Sequence, residues 1–122
     1  MIIIGIVGSR RRNTEQDKKL VEEELLKLIF VLKEIKLCSG GCKTGADRFC
    51  EEFSIKYNVP ITVHKADWKK NGRGAGFVRN TDIAKDSDVL IACVAEDRKG
   101  GTEDTIKKFK KFHPDGKLVL VE

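Results

Sequence analysis

The sequence lacks a hydrophobic run long enough to cross a membrane. Its apolar opening, MIIIGIVG at residues 1–8, is far shorter than the ~20 residues that a spanning helix needs. That opening also lacks the small-residue cleavage site of a secretory signal. We therefore expect no membrane partner and no export, and we predict a cytoplasmic protein.

The four cysteines lack the spacing of a metal site. Cys38, Cys42 and Cys50 are separated by three and then seven residues, which fits none of the usual zinc or iron–sulfur motifs. In a chain without export signals such cysteines are reduced thiols. Cys50 and Cys93 fall in apolar patterns that indicate core positions. We therefore expect no metal site and no cofactor other than a bound nucleotide.

Aromatic residues are scarce, at 7% of the chain, and they form no platform on which successive bases of single-stranded nucleic acid would stack. The 24 basic residues exceed the 19 acidic ones, for a net charge of +5, which suits an anionic partner. The basic residues are mixed with acidic ones, a pattern typical of a solvated surface. A nucleotide ligand is therefore preferred, and nucleic-acid binding is kept as an alternative.

Apolar segments alternate with helical patterns along the whole chain. The first segment, IIIGIV at residues 2–7, is continuously apolar, as in a strand buried on both faces of a parallel sheet. Thr14 and Asp17 have capping-box spacing, and Thr44 and Thr102 are the expected caps of two later helices. Strands are predicted at residues 2–7, 36–38, 61–65, 88–95 and 117–121. The order βαβαβαβαβ predicts an α/β fold over residues 1–122, a three-layer sandwich with about five parallel strands and helices on both faces.

The four loops that lead from a strand into a helix are polar and carry glycine. They read GSR (8–10), SGGCKTG (39–45), ADWKKNGRGAG (66–76) and RKGGT (98–102). All four meet at the carboxyl edge of a parallel sheet, where ligands bind in such folds. Glycines allow close approach of the backbone, and helix N-termini offer free N–H groups to anions. The loops together predict a ligand that contains phosphate.

Standard nucleotide motifs are nevertheless absent. Cys42 precedes Lys43-Thr44 where a Walker loop needs glycine, and the first turn holds only Gly5 and Gly8 where a dinucleotide fingerprint needs three glycines. A P-loop enzyme and a dehydrogenase are therefore not expected.

Several loop residues have two interpretations on sequence alone. Gly40 and Gly41 either form a tight turn or contact an anion, and Trp68 either packs on the sheet edge or stacks on a base. Asp47 is interpreted as the third residue of a capping box begun by Thr44. Arg79, one turn into a helix preceded by glycines, is interpreted as an anion ligand.

The motifs GSR, SGGCKTGAD, ADW, GAGFVRN and GGT occur in this order, and the set resembles the YspA-like branch of the SLOG superfamily. These are Rossmann-like domains related to DprA and to the LOG enzymes, and the resemblance extends from Gly8 to about Ile106. It implies a Rossmann-like fold that binds a nucleotide or a nucleotide-derived ligand.

The LOG enzymes cleave the N-glycosidic bond of nucleoside monophosphates. The resemblance implies that Arg79 matches their arginine and that Gly100, Gly101 and Thr102 match their phosphate loop. Asn80 stands where their lysine would be, and Asp104 and Thr105 stand where their two glutamates would be. Catalysis by Arg79 with Asp104 or Glu103 is therefore expected only if the protein is a hydrolase. A homodimer is expected by analogy with those enzymes.

We predict a sensor or processing domain that binds a nucleotide or a nucleotide-derived small molecule. A phosphoribohydrolase and a single-stranded nucleic-acid binder are the alternatives. The predicted ligand-binding residues are Gly8, Ser9, Arg10, Gly40, Gly41, Asp67, Trp68, Arg79, Asn80, Gly100, Gly101 and Thr102.

Overall fold

The computed structural model describes all 122 residues, which form alternating strands and helices. The strands are β1 (Ile2–Gly8), β2 (Ile35–Ser39), β3 (Ile61–Val63), β4 (Val89–Cys93) and β5 (Lys117–Val121). The helices are α1 (Glu15–Val31), α2 (Ala46–Tyr57), α3 (Trp68–Asn71), α4 (Ala75–Asp86) and α5 (Gly101–Phe112), and a 3₁₀ turn over Gly72–Gly74 joins α3 to α4. None of the helices combines the length and hydrophobicity needed to cross a bilayer.

All five strands are parallel and lie in the order β3-β2-β1-β4-β5. The chain moves outward from β1 to β3, then crosses back to β4 and β5 on the other side. The order therefore reverses between β1 and β4, which pair from Ile4–Val89 to Gly8–Cys93. Helices α1 and α2 cover one face, and α4 and α5 cover the other. The predicted Rossmann-like three-layer sandwich is confirmed.

Strand β1 is buried on both faces, as its continuous apolar run predicts. Ile4 and Ile6 belong to the core cluster under α1 and α2, whereas Val7 belongs to the cluster under α4 and α5. Because successive side chains of a strand point to opposite faces, one short strand contributes to both layers. Gly5, between Ile4 and Ile6, has no side chain and so leaves room for the Ser87 side chain.

The helix cap predicted from the sequence is present at α1, whereas the caps predicted for α2 and α5 are not. Thr14 caps α1, and the reciprocal capping-box bonds to Asp17 are present at 3.0 and 3.2 Å. Thr44 and Thr102, in contrast, cap nothing. Helix α2 begins after Gly45 and α5 after Gly100, with φ of 73° and 117° and no side-chain cap at either. Glycine tolerates these positive φ values, so the chain enters both helices through a backbone turn that threonine does not favour.

Candidate ligand-binding site

A cavity of about 300 Å³ opens at the carboxyl edge of the sheet, beyond the ends of the paired strands β1 and β4. Its volume lies at the lower end of the ~300–1,000 Å³ range of small-molecule sites. Most of its lining is polar or glycine, which suits a charged ligand. The lining residues are Val7, Gly8, Ser9, Arg10, Arg11, Cys42, Thr44, Asp47, Arg79, Asn80, Ile83, Lys99, Gly100, Gly101, Thr102 and Thr105.

The end of β1 and the loop after it form one wall of the cavity, which includes the predicted residues Gly8, Ser9 and Arg10. The loop is held in place because Arg11 donates to both carboxylate oxygens of Asp97, in the loop after β4, at 3.0 and 2.7 Å. Arg10 is exposed and forms no ion pair, so its charge is free to meet an anion.

The N-terminus of α5 supplies unpartnered donors to the same cavity. The N–H groups of Gly101 and Thr102 lie in the first turn, where no intrahelical acceptor exists, and no side chain caps them. The partial positive charge of a helix N-terminus favours an anion at this position. Gly100, Gly101 and Thr102 all line the cavity, as does Lys99.

Arg79 on α4 enters the cavity without a carboxylate partner. Its Nε donates to Asn80 Oδ1 at 3.1 Å and its Nη1 donates to the Gly40 carbonyl at 3.3 Å. Arginine carries five N–H donors, so the remaining ones, including both on Nη2, have no hydrogen-bond acceptor in the protein. The guanidinium is thus oriented but not neutralised.

Asn80 lines the cavity but uses its polar atoms within the protein. It is 6% exposed, and its Nδ2 donates to the Gly101 carbonyl at 3.3 Å and to Asp104 Oδ2 at 3.1 Å. Its Oδ1 accepts from Arg79. Asn80 therefore couples the arginine of α4 to the first turn of α5, which makes it a positioning residue for both.

Asp104 and Glu103, the two conditional catalytic residues, do not line the cavity. The Asp104 carboxylate accepts from Asn80 and from Lys108 Nζ at 2.9 Å. Glu103 accepts from Nε and Nη2 of Arg98, both at 2.9 Å. Each carboxylate is occupied by a neighbouring cation, so neither is placed to act on a ligand in the cavity.

The second loop contributes to the cavity in a different way from the one predicted. Gly40 sits behind Arg79, where an added Cβ would lie 2.8 Å from Arg79 Cδ. Gly41, with φ of 76°, turns toward Val63 and does not line the cavity. Gly40 therefore serves the site by making space, and Gly41 by making the turn.

Asp47 is the lining residue whose role the sequence analysis mistook. It does not complete a capping box with Thr44, and its Oδ2 instead accepts from the Cys42 N–H at 3.0 Å, which closes the glycine loop. Burial raises the pKa of the Asp47 carboxyl, against the opposing effects of the Cys42 hydrogen bond and the Arg79 charge. A carboxyl with a raised pKa in a cleft is a candidate for proton transfer.

Cys42, Lys99 and Thr105 also line the cavity, although none of them is among the residues predicted to bind a ligand. Burial alone would raise the pKa of the Cys42 thiol, but hydrogen bonds to Thr44 and the charge of Arg10 bring that pKa below its ordinary value. The one available signal was position, because Cys42 and Lys99 fall in the predicted glycine loops and Thr105 lies three residues after the last of them.

Asp67 and Trp68 lie outside the cavity. Asp67 caps the short helix α3 by accepting from the Lys70 N–H at 3.0 Å. Trp68 is 60% exposed, and its ring edge lies 3.9 Å from the position that a Cβ on Gly76 would occupy. The indole therefore stands beside the first turn of α4, the helix that carries Arg79.

Comparison with known proteins agrees with this architecture. Residues 4–71 match the model of the YAcAr family, described as the YspA, cpYpsA-related SLOG family. Among solved structures, the chain is similar to the molybdenum cofactor binding protein from the phototrophic bacterium Rippkaea orientalis, with a TM-score of 0.71 and 23% identity over 98% of this chain and 75% of that one. No curated protein matches. The matched family segment includes the first two glycine loops, whereas Arg79 and Gly100–Thr102 lie beyond it.

Proposed function

Because the chain belongs to the YspA, cpYpsA-related SLOG family, as its motifs predict, we propose that the cavity binds a nucleotide or a nucleotide-derived small molecule through its phosphate. One observation carries the proposal. The uncapped N–H groups at the start of α5 and the unneutralised guanidinium of Arg79 line one cavity, and Asn80 holds them in a fixed relation.

In the proposed complex the phosphate accepts from the N–H groups of Gly101 and Thr102 and from the Thr102 hydroxyl. Arg79 adds charge-assisted hydrogen bonds in its forked geometry, and Arg10 contributes positive charge from the opposite wall. A ligand that extends past the first turn of α4 meets the exposed indole of Trp68, on which a base stacks. The binding role of Asp67 stays a prediction.

Thermal unfolding with a panel of ligands tests the proposal. The panel contains nucleoside mono-, di- and triphosphates, nicotinamide dinucleotide, ADP-ribose and inorganic phosphate. It also contains the phosphate-bearing pterin of the molybdenum cofactor, which the structural neighbour is described as binding. A ligand at 100 times its Kd adds about 2.7 kcal/mol to the stability of the native state, which corresponds to roughly 10 °C for a chain of this length. Failure of every phosphate-bearing compound to raise the melting temperature contradicts the proposal.

Cleavage of the N-glycosidic bond is a second candidate function, and the raised pKa of Asp47 favours it. In this reaction water adds to C1′ of the ribose as the bond to the base breaks, and protonated Asp47 donates its proton to the departing base. The attacking water loses one proton to solvent, from which Asp47 is protonated again. The products are the free base and ribose 5-phosphate. The general acid is then Asp47 and not Asp104 or Glu103, whose carboxylates are occupied.

Free-base release separates the two functions. A panel of nucleoside monophosphates is incubated with the protein and the products are resolved by chromatography. For a hydrolase, the rate falls as pH rises through the raised pKa of Asp47, and Asp47→Asn abolishes release while ligand binding persists. Binding without release from any substrate leaves the protein a sensor or carrier.

Three further expectations stay predictions. Light scattering at several concentrations tests the homodimer. A salt-dependent mobility shift with single-stranded DNA is required for the nucleic-acid alternative, and its absence at low salt contradicts that alternative. Cytoplasmic location is tested by fractionation of expressing cells.

A further inference from the structure

A second cluster of reactive side chains lies away from the cavity. It consists of Cys38 on β2, His64 directly after β3 and Asp86 at the end of α4. Each offers one ligand atom, and the three atoms lie within 4.8 Å of one another. His64 Nε2 and Asp86 Oδ2 are 2.6 Å apart, and none of the three residues lines the ligand cavity.

The sheet register brings the thiol and the imidazole to the same face. Cys38 is opposite Thr62 in the β2–β3 ladder, and the His64 N–H continues that ladder by donating to the Ser39 carbonyl at 2.8 Å. Since side chains alternate along a strand, His64 points to the same face as Thr62 and therefore as Cys38. That face is covered by α4, which ends over the pair with Asp86.

We propose that Cys38, His64 and Asp86 bind one divalent ion of the zinc class. A thiolate, a neutral imidazole and a carboxylate are the ligands that zinc prefers, and three protein ligands leave a fourth tetrahedral position open to water. The thiolate and carboxylate together carry two negative charges, which the ion neutralises. A soft sulfur ligand and a single carboxylate are poorly suited to magnesium or calcium.

The metal-free geometry is close to that of a bound site. Zinc bonds of about 2.0–2.3 Å place tetrahedral ligand atoms roughly 3.5 Å apart, so the atoms need to move by about 1 Å. The side chains of His64 and Asp86, 21% and 47% exposed, have room to rotate, and they open a path for the ion to the buried sulfur.

Metal binding displaces the thiol proton. A cysteine thiol is protonated at neutral pH, whereas zinc binds the thiolate. Binding therefore forms the Cys38 S–metal bond and releases one proton to solvent for each ion bound.

Titration with Co²⁺, a spectroscopic substitute for Zn²⁺, tests the site on the full chain under reducing conditions. We expect saturation at one equivalent, a near-ultraviolet thiolate-to-cobalt charge-transfer band, visible bands of tetrahedral intensity, and displacement by Zn²⁺. Cys38→Ser removes the charge-transfer band. Cys42→Ser is the matched control, since it removes the most exposed thiol and leaves the band intact.

Two variants outside the core make the test independent of any folding defect in Cys38→Ser. Loss of a group that only hydrogen-bonds a metal ligand lowers the affinity for the metal by about 10–100-fold. His64→Ala removes a ligand and Asp86→Asn weakens one, so we expect each to lower the affinity for Co²⁺ by more than about tenfold. Circular dichroism verifies that both remain folded. The proposal is overturned if wild-type protein gives no charge-transfer band at saturating Co²⁺, if Cys38→Ser retains it, or if His64→Ala binds with unchanged affinity.

Discussion

Replacement of Arg79 by alanine removes the one cavity cation that the protein orients but leaves without a carboxylate. The wild-type side chain donates to Asn80 and to the Gly40 carbonyl and has no ion pair, so a bound phosphate is its natural charge partner. A hydrogen bond to a charged group contributes about 1.5–3 kcal/mol. Its loss therefore weakens binding of a phosphate-bearing ligand by about 10- to 150-fold.

Isothermal titration with the best ligand from the thermal panel measures this change. Arg73→Ala is the matched control, because it removes the same charge from an exposed position in the 3₁₀ turn before α4. We expect the control to bind within about twofold of wild type, since Arg73 does not line the cavity and the interactions of exposed charges are screened by salt. Arg79→Lys restores charge without the planar fork and falls between the two.

The placement of the phosphate is wrong if Arg79→Ala binds as tightly as wild type. It is also wrong if Arg73→Ala loses as much affinity as Arg79→Ala, because the effect is then one of net charge alone. Either result excludes a contact between this guanidinium and the phosphate, but neither excludes a ligand elsewhere in the cavity.

Three other substitutions test the parts that support this arginine. Gly40→Ala places a Cβ 2.8 Å from Arg79 Cδ, and by displacing that side chain it lowers the ligand affinity measured by titration. Gly74→Ala is its control and leaves that affinity unchanged, because its added Cβ meets nothing within 4 Å. Asn80→Ala leaves its part-buried hydrogen-bond partners on α4 and α5 unsatisfied and lowers the free energy of unfolding by about 1–3 kcal/mol, which urea denaturation measures. Gly100→Ala forces a Cβ onto a backbone with φ of 117° and destabilises the fold by about 1–3 kcal/mol; an unchanged urea midpoint contradicts the strain argument.

The sheet could be predicted from the sequence because its signals are local. The apolar run of β1 fixes a strand buried on both faces, and Thr14 with Asp17 fixes the start of α1. The predicted strand at residues 117–121 matches β5. In each case the signal for the element lies in its own residues or in those directly beside it.

The starts of α2 and α5 could not be predicted in this way. Thr44 and Thr102 have good capping chemistry, yet Gly45 and Gly100 take the cap position. The N–H of Gly45 donates to Asn13 Oδ1 at 2.7 Å, a contact between loops that are far apart in sequence. Tertiary contacts therefore select the backbone turn over the local side-chain cap.

The cavity lies at the sheet edge where the glycine loops place the predicted site, but the charge pairing around it could not be predicted. Asp104 has suitable chemistry for a catalytic carboxylate, yet it is paired with Lys108 one turn later and with Asn80 from another helix. The Cys38–His64–Asp86 cluster shows the same limitation, because its members come from three elements. Motif spacing detects only ligands that are close in sequence.

The distribution of helix caps is itself an argument for a ligand at this edge. Helix α1 has a complete capping box, and its first turn does not line the cavity. Helices α2 and α5 line it through Thr44, Asp47 and the Gly100–Thr102 turn, and both lack a side-chain cap. A cap contributes about 0.5–2 kcal/mol. The fold forgoes that stabilisation at three helix starts, since α4 also lacks a side-chain cap. At two of them, the starts of α2 and α5, a phosphate in the cavity can replace the cap. A bound anion would supply the missing acceptors, and the stability gained on ligand binding would therefore include the capping energy that the free protein lacks.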